Sequence, residues 1–166
     1  MDPHARKNAL RMLPYGLSVL TAADTQGRFA AASLNWVTQA SFQPPQLVVC
    51  LKKDSLTLSV VEAAGEFALN LLGKGQGALA FTFFKHVEEE NGTLGGEAFQ
   101  YMQGIPVLDS VPAYLLCRVS GSMGDGDHKV VLGEVMDAGV RVEFADRPDE
   151  AMLWLKDLEG NLFYGG

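Results

Sequence analysis

Three stretches of this chain carry residues whose types and spacing suit chemistry. The first is Ser33-Leu34-Asn35-Trp36-Val37-Thr38-Gln39-Ala40-Ser41, followed by Phe42-Gln43-Pro44-Pro45. It sets hydroxyls and amides beside an apolar strand, and such groups bind the polar edge of an anionic aromatic cofactor. The same composition also serves a plain strand exit, with Ser and Thr supporting turns. The second is Cys50-Leu51-Lys52-Lys53-Asp54-Ser55-Leu56-Thr57, where a buried strand opens into a helix. Helix-start amides, the Ser55 and Thr57 hydroxyls and a lysine, Lys52 or Lys53, would cradle a phosphate. Equally, Ser55 simply caps the helix while the lysines face water. The third is Gly124-Asp125-Gly126-Asp127-His128, leading into Lys129 to Val135. A histidine at that junction either touches a bound ring or hydrogen-bonds its neighbour Asp127 within the turn.

Positioning these stretches falls to a run of strands with a few helices. Ala5 to Leu13 reads as a short helix ended by Pro14. Leu17 to Thr21 and Phe29 to Trp36 read as two strands of a hairpin turning through Asp24 to Arg28. The small residues Ala30, Ala31, Ala32 and Ser33 leave room for a close approach to the backbone. Gln46 to Leu51 follows Pro44-Pro45 as the strongest strand. Leu56 to Ala64 reads as a helix, with Asp54 or Ser55 as its cap and Gly65 as its stop. Phe67 to Leu72 is a strand and Gln76 to Phe84 a second helix. From Lys85 to Val111 the chain is rich in Gly, Glu and Gln and reads as a long, mostly irregular excursion. Ala113 to Ser120 and Lys129 to Val142 resume as strands across a turn-rich bridge from Gly121 to His128. Leu162 to Gly166 would form a last short strand. Hairpins on both sides of the middle helices argue against repeated βαβ units and for a mainly β, mostly antiparallel barrel with peripheral helices.

Composition narrows the rest. The 166 residues suit one domain, with 48% hydrophobic and 20% charged residues. The formal net charge of −7 repels a phosphate backbone, so no nucleic-acid partner is expected. No apolar run is long enough for a membrane span, and the first residues do not resemble a secretory leader, so a cytoplasmic protein is expected. Cys50 and Cys117 lie in separate apolar runs and read as buried strand thiols. Three histidines, His4, His86 and His128, at unrelated spacing make no metal cage, and the run Glu88-Glu89-Glu90 reads as a solvated loop. Nucleophile-elbow, dinucleotide-fingerprint, phosphate-loop and zinc-protease motifs are all missing.

Taken in order, five segments resemble the flavin reductase-like family. They are Tyr15 to Thr21, Asn35 to Ser41 with Pro44-Pro45, Cys50-Leu51 with Ser55 and Thr57, Phe67 to Leu72, and Gly126-Asp127-His128 through Gly133-Glu134-Val135. The resemblance runs from about Leu10 to Val142. It implies a single domain over 1–166, an FMN-binding split barrel of Greek-key type, and a homodimer with FMN, or FAD, near the interface. By resemblance, Asn35, Trp36, Val37, Thr38, Gln39, Ala40 and Ser41 line the flavin. Lys52, Lys53, Ser55 and Thr57 support its phosphate, Phe84 and Lys85 approach it, and His128 is the catalytic candidate beside the nicotinamide.

The implied activity is that of an NAD(P)H-dependent flavin reductase, which stacks two rings for hydride transfer and needs no conspicuous acid/base pair. An oxygenase or electron carrier would receive the electrons. The rival readings are a flavin-binding electron carrier without a working nicotinamide site, and a non-catalytic barrel holding another ligand. The chain departs from the family pattern after Asn35, where Trp36 and Val37 replace a small or hydroxylated residue and an aromatic. Lys85 to Gly104 also has a character of its own.

Overall fold

A computed structural model describes residues 1–144, 147–160 and 162–164. Its centre is a seven-stranded antiparallel sheet with strand order β2-β1-β5-β10-β11-β4-β3. The strands are β1 (Ser18–Ala23), β2 (Phe29–Leu34), β3 (Val37–Phe42), β4 (Pro45–Lys52), β5 (Glu66–Leu71), β10 (Ala113–Met123) and β11 (His128–Val140). The turn from β1 to β2 is held by Asp24, whose carboxylate accepts from the Gln26 and Arg28 amides. Those bonds and the Arg28 guanidinium, outweighing desolvation, hold the Asp24 carboxyl below its usual range. The β10–β11 hairpin inserts between β5 and β4, which are far from it in sequence.

The closure of this sheet follows from chain connectivity. β2 and β3 lie at opposite edges, yet only Asn35 and Trp36 separate Leu34 from Val37. So short a link spans about 10 Å at most. The sheet must therefore curl until its edges face each other, and no ladder joins them among the described residues. The result is an antiparallel barrel left open between β2 and β3.

Helix α2 (Leu56–Ala64) forms where its residues predict. Ser55 Oγ accepts from the Leu58 amide at its start, and Gly65 ends it with φ 70°, a conformation glycine adopts without strain. Its Leu58, Val60 and Val61 enter a core with Leu20, Val49, Leu51, Phe67, Leu69, Cys117 and Val131. Helix α1 (Pro3–Arg11) is capped by Asp2 and buries no residue, while α3 (Gly77–Thr82) is shorter than its apolar pattern suggests.

Three expectations are corrected. Lys85 to Val111 is not mostly irregular: it folds into a second antiparallel sheet of β6 (Glu89–Glu90), β7 (Thr93–Leu94), β8 (Glu97–Met102) and β9 (Ile105–Leu108). Its strands are short, and their turns use positive-φ residues at Asn91-Gly92, Gly95-Gly96 and Gln103-Gly104. The bridge after β10 is shorter than expected, because strand pairing continues to Met123. Leu162–Tyr164 forms no strand, and Gly165-Gly166 lie outside the described residues.

Gly139 in β11 faces Tyr114 in β10, whose buried ring lies where a Cβ would stand. Gly139→Ala is expected to cost about 1–3 kcal/mol through overpacking, read as a lower urea midpoint. An unchanged midpoint would show that the ring moves aside freely.

Candidate functional site

A cavity of about 510 Å³ opens at the split between β2 and the β4–α2 turn. One wall is the small-residue end of β2, Ala31 to Leu34, continuing into Asn35 and Trp36. Close approach there follows from the absence of large side chains at Ala31, Ala32 and Ser33. Opposite stand Cys50, Leu51 and Lys52 of β4 with Ser55, Leu56 and Thr57 at the start of α2. Phe83 to His86, after α3, close another side, and Leu17 and Leu155 form part of the apolar wall.

Backbone bonds lock these pieces together. The Ser33 amide donates to Phe83 O (2.9 Å) and Ser33 Oγ to Ala80 O (2.7 Å), which docks α3 on β2. The Cys50 amide donates to Trp36 O (3.1 Å), holding the two-residue link against β4. The Lys53 amide donates to Asp127 O (3.0 Å), so the loop before β11 is tied to the turn before α2. Register then sets His128 directly across from Lys52.

Of the residues singled out from sequence, Asn35, Trp36, Lys52, Ser55, Thr57, Phe84, Lys85 and His128 share this cavity. Val37, Thr38, Gln39, Ala40, Ser41 and Lys53 do not line it. The segment 37–41 belongs to β3, an edge strand whose Thr38, Gln39 and Ala40 are exposed. Lys53 points to solvent from the turn. Sequence reasoning missed Leu17, Phe83, His86, Leu155 and the tail residues Leu162 to Tyr164 as lining groups. Only the aromatic pair Phe163-Tyr164 carried a local signal, and it suggested a strand.

The Ser55 hydroxyl is already engaged. It accepts from the Leu58 amide (3.2 Å) and donates to Lys52 O (2.7 Å). Thr57, half-buried two residues on, has no such duty among the described bonds. Lys52 Nζ lies 3.0 Å from Asp54, and the hydrogen bond holds the Asp54 carboxyl below its usual range. His128, with 14% of its side chain exposed, has Nδ1 at 2.9 Å from Asp127 Oδ1. That bond and the imidazole's charge lower the Asp127 carboxyl as well. Trp36 packs on the imidazole with ring centroids 4.7 Å apart.

The donor set suits a phosphorylated flavin. Cationic and hydroxyl groups gather at the start of α2, an amide sits at Asn35, and the walls between are apolar. The volume falls within the range of small-molecule sites, about 300–1,000 Å³. Among the described residues no cluster of three or more His, Cys, Asp or Glu could hold a metal ion, and no helix is long and apolar enough to cross a membrane.

The two thiols differ as their surroundings dictate. Cys117 is fully buried and desolvation pushes it up to about 12, whereas Cys50 is partly exposed on the cavity wall and raised less. Only the thiolate reacts, so in mildly alkaline buffer iodoacetamide should modify Cys50 and spare Cys117 in the folded protein. FMN should slow the reaction at Cys50. Mass spectrometry reads both, and equal labelling of the two thiols would contradict this burial.

The chain is similar to several known proteins. A probable flavin reductase of Rhizobium meliloti is 31% identical over 134 residues, covering 81% of this chain and 42% of that protein. The chain thus spans about two fifths of that relative's length. A flavin reductase (NADH) of Kitasatospora aureofaciens is 32% identical over 150 residues, covering 86% of this chain and 73% of the relative. Among solved structures, the styrene monooxygenase flavin reductase of Pseudomonas putida S12 superposes with a TM-score of 0.70 at 25% identity, covering 81% of this chain and 86% of that one. The family model of the flavin reductase like domain matches residues 10–158, which takes in the whole barrel and most of the cavity wall. This chain belongs to the flavin reductase-like family.

Proposed function

We propose that the chain is an FMN-binding flavin reductase that takes a hydride from NADH or NADPH. The observation that carries the reading is the polarity of the cavity: an apolar slot that ends in Lys52, Thr57 and the first amides of α2. A mononucleotide dianion matches that end, because unpaired helix-start amides and a lysine both favour negative charge.

When bound, the flavin supplies the electron-accepting ring. The protein supplies position and environment. Asn35, 8% exposed on the cavity wall, would offer its amide to the polar edge of the flavin. Leu17, Leu51, Phe83 and Leu155 exclude water from the apolar faces. The Asp127 carboxylate accepts a hydrogen bond from His128 Nδ1–H, which orients the ring with Nε2 toward the cavity. His128 thereby orients a nicotinamide carboxamide, and Lys85 and His86 offer further polar contacts at the rim.

Cytoplasmic location, a homodimer and delivery of reduced flavin to an oxygenase component complete the proposal. The relatives' names support the nicotinamide donor and the oxygenase context. The test is steady-state oxidation of NADH and NADPH by the purified protein with added FMN. Turnover that rises with FMN and saturates with one of the nucleotides is expected. A yellow protein that oxidises neither nucleotide would make the chain an electron carrier instead.

A further inference from the structure

Both ring nitrogens of His128 are taken. Nδ1 faces Asp127, and Nε2 lies 2.9 Å from the Tyr164 hydroxyl. A carboxylate only accepts, so Nδ1 carries a proton, and Nε2 is taken by the Tyr164 hydroxyl, which donates to a neutral imidazole and accepts from a charged one. The imidazole assigned to the nicotinamide has no free hydrogen-bonding atom while Tyr164 stays in place.

Tyr164 belongs to Leu162–Tyr164, a segment without helix or strand that lies along the cavity wall. Its ring meets Trp36 at a centroid distance of 5.4 Å and His128 at 6.1 Å. A planar ring with one polar substituent therefore covers the imidazole and the indole together. The remaining ties are weak. Asn35 Nδ2 donates to Tyr164 O at 3.4 Å, and the Arg11 guanidinium lies 4.3 Å from the Phe163 centroid. Among the described residues no backbone–backbone hydrogen bond joins the segment to the barrel, and Phe163 and Tyr164 are 57% and 49% exposed. Segments held this way open at low cost.

We propose that Tyr164 is a displaceable stopper on His128: it fills the aromatic place beside Trp36, and a nicotinamide reaching the imidazole must first push it out. The proposal rests on the flavin reductase reading above. Among the described bonds the Tyr164 side chain makes none to the Lys52–Thr57 end, where the phosphate is assigned. Nicotinamide affinity is reduced by the fraction of molecules that hold the stopper closed.

The experiment uses FMN-loaded protein titrated with NAD+, which leaves oxidised flavin unreduced. Tyr164→Ala should bind NAD+ about three- to tenfold more tightly than wild type, as expected for losing one hydrogen bond and part of a ring contact. Tyr164→Phe, which keeps the ring, should fall between them. Both variants should keep the far-UV circular dichroism spectrum and the urea midpoint of wild type, which shows that they fold. In the wild type, amide hydrogen exchange at Leu162–Tyr164 should speed up when NAD+ is added. Weaker or unchanged NAD+ binding by Tyr164→Ala, or slower exchange in the segment on adding NAD+, overturns the stopper and makes the segment a wall of the site. No uptake of FMN by wild-type protein overturns the flavin reading first, and the stopper with it.

Discussion

Asn70→Ala should destabilise the protein by about 4 kcal/mol, because it leaves several buried polar groups unpaired at once. Asn70 sits next to the last residue of β5 with no solvent exposure, and its amide is bonded through both Nδ2 and Oδ1. Nδ2 donates to Val19 O and to Thr21 Oγ1, each at 2.9 Å, and Oδ1 accepts from the Leu108 amide at 2.9 Å. Thr21 in turn donates to Pro106 O. One side chain thus fastens β1 of the barrel to β9 of the smaller sheet. Removing it leaves a buried N–H and two oxygens short of partners, each costing about 1–3 kcal/mol, partly relieved by water entering the gap. Urea unfolding measures the loss. A change under about 1 kcal/mol would mean that the two sheets are held by apolar packing alone. Because Leu108 also accepts from Arg141, the strand should remain near its place. The cavity should then keep its ligand selectivity in the fraction that folds.

The second large effect concerns affinity. Lys52→Ala is expected to weaken FMN binding about tenfold or more while changing riboflavin, which lacks the phosphate, less than about twofold. A charge-assisted contact to an anion contributes about 1.5–3 kcal/mol, and Lys52 is the cation that lines the cavity next to the start of α2. Thr57→Val should act in the same direction with a smaller loss. Ser55→Ala is the wrong probe, because its hydroxyl caps α2 and its removal costs about 1 kcal/mol of stability whatever the ligand. Raising the salt should shrink the FMN–riboflavin difference in wild type, since half of the Lys52 side chain is exposed and its charge is screened. Parallel losses for both flavins in Lys52→Ala would place the phosphate elsewhere.

What was legible in sequence was what local chemistry decides. α2 could be placed from Ser55 and Gly65 because cap and stop are properties of single residues. β4 and β5 were legible from unbroken apolar runs buried between neighbours. The small sheet was not: its strands are two to six residues long, and the glycines at its turns look like those of an irregular loop. β3 was hidden because an edge strand facing water carries the same hydroxyls and amides as a binding segment. At the site, Asn35, Trp36, Lys52, Ser55, Thr57 and His128 were legible from the turns that present them. Leu17, Leu155 and Tyr164 were not, since they come from chain segments far apart in sequence that only the folded chain brings together. Ser55 shows how both readings of one residue arise: the turn that would offer its hydroxyl to a phosphate is the turn in which that hydroxyl caps a helix.

The claim on which the account stands is that the split of the barrel holds a phosphorylated flavin by its phosphate. Equilibrium titration of the wild-type protein with FMN and, separately, riboflavin, followed by flavin fluorescence, tests it most directly. Saturable binding of one FMN per chain is expected, at least about tenfold tighter than riboflavin. Failure to take up FMN, or equal affinity for the two, would contradict it.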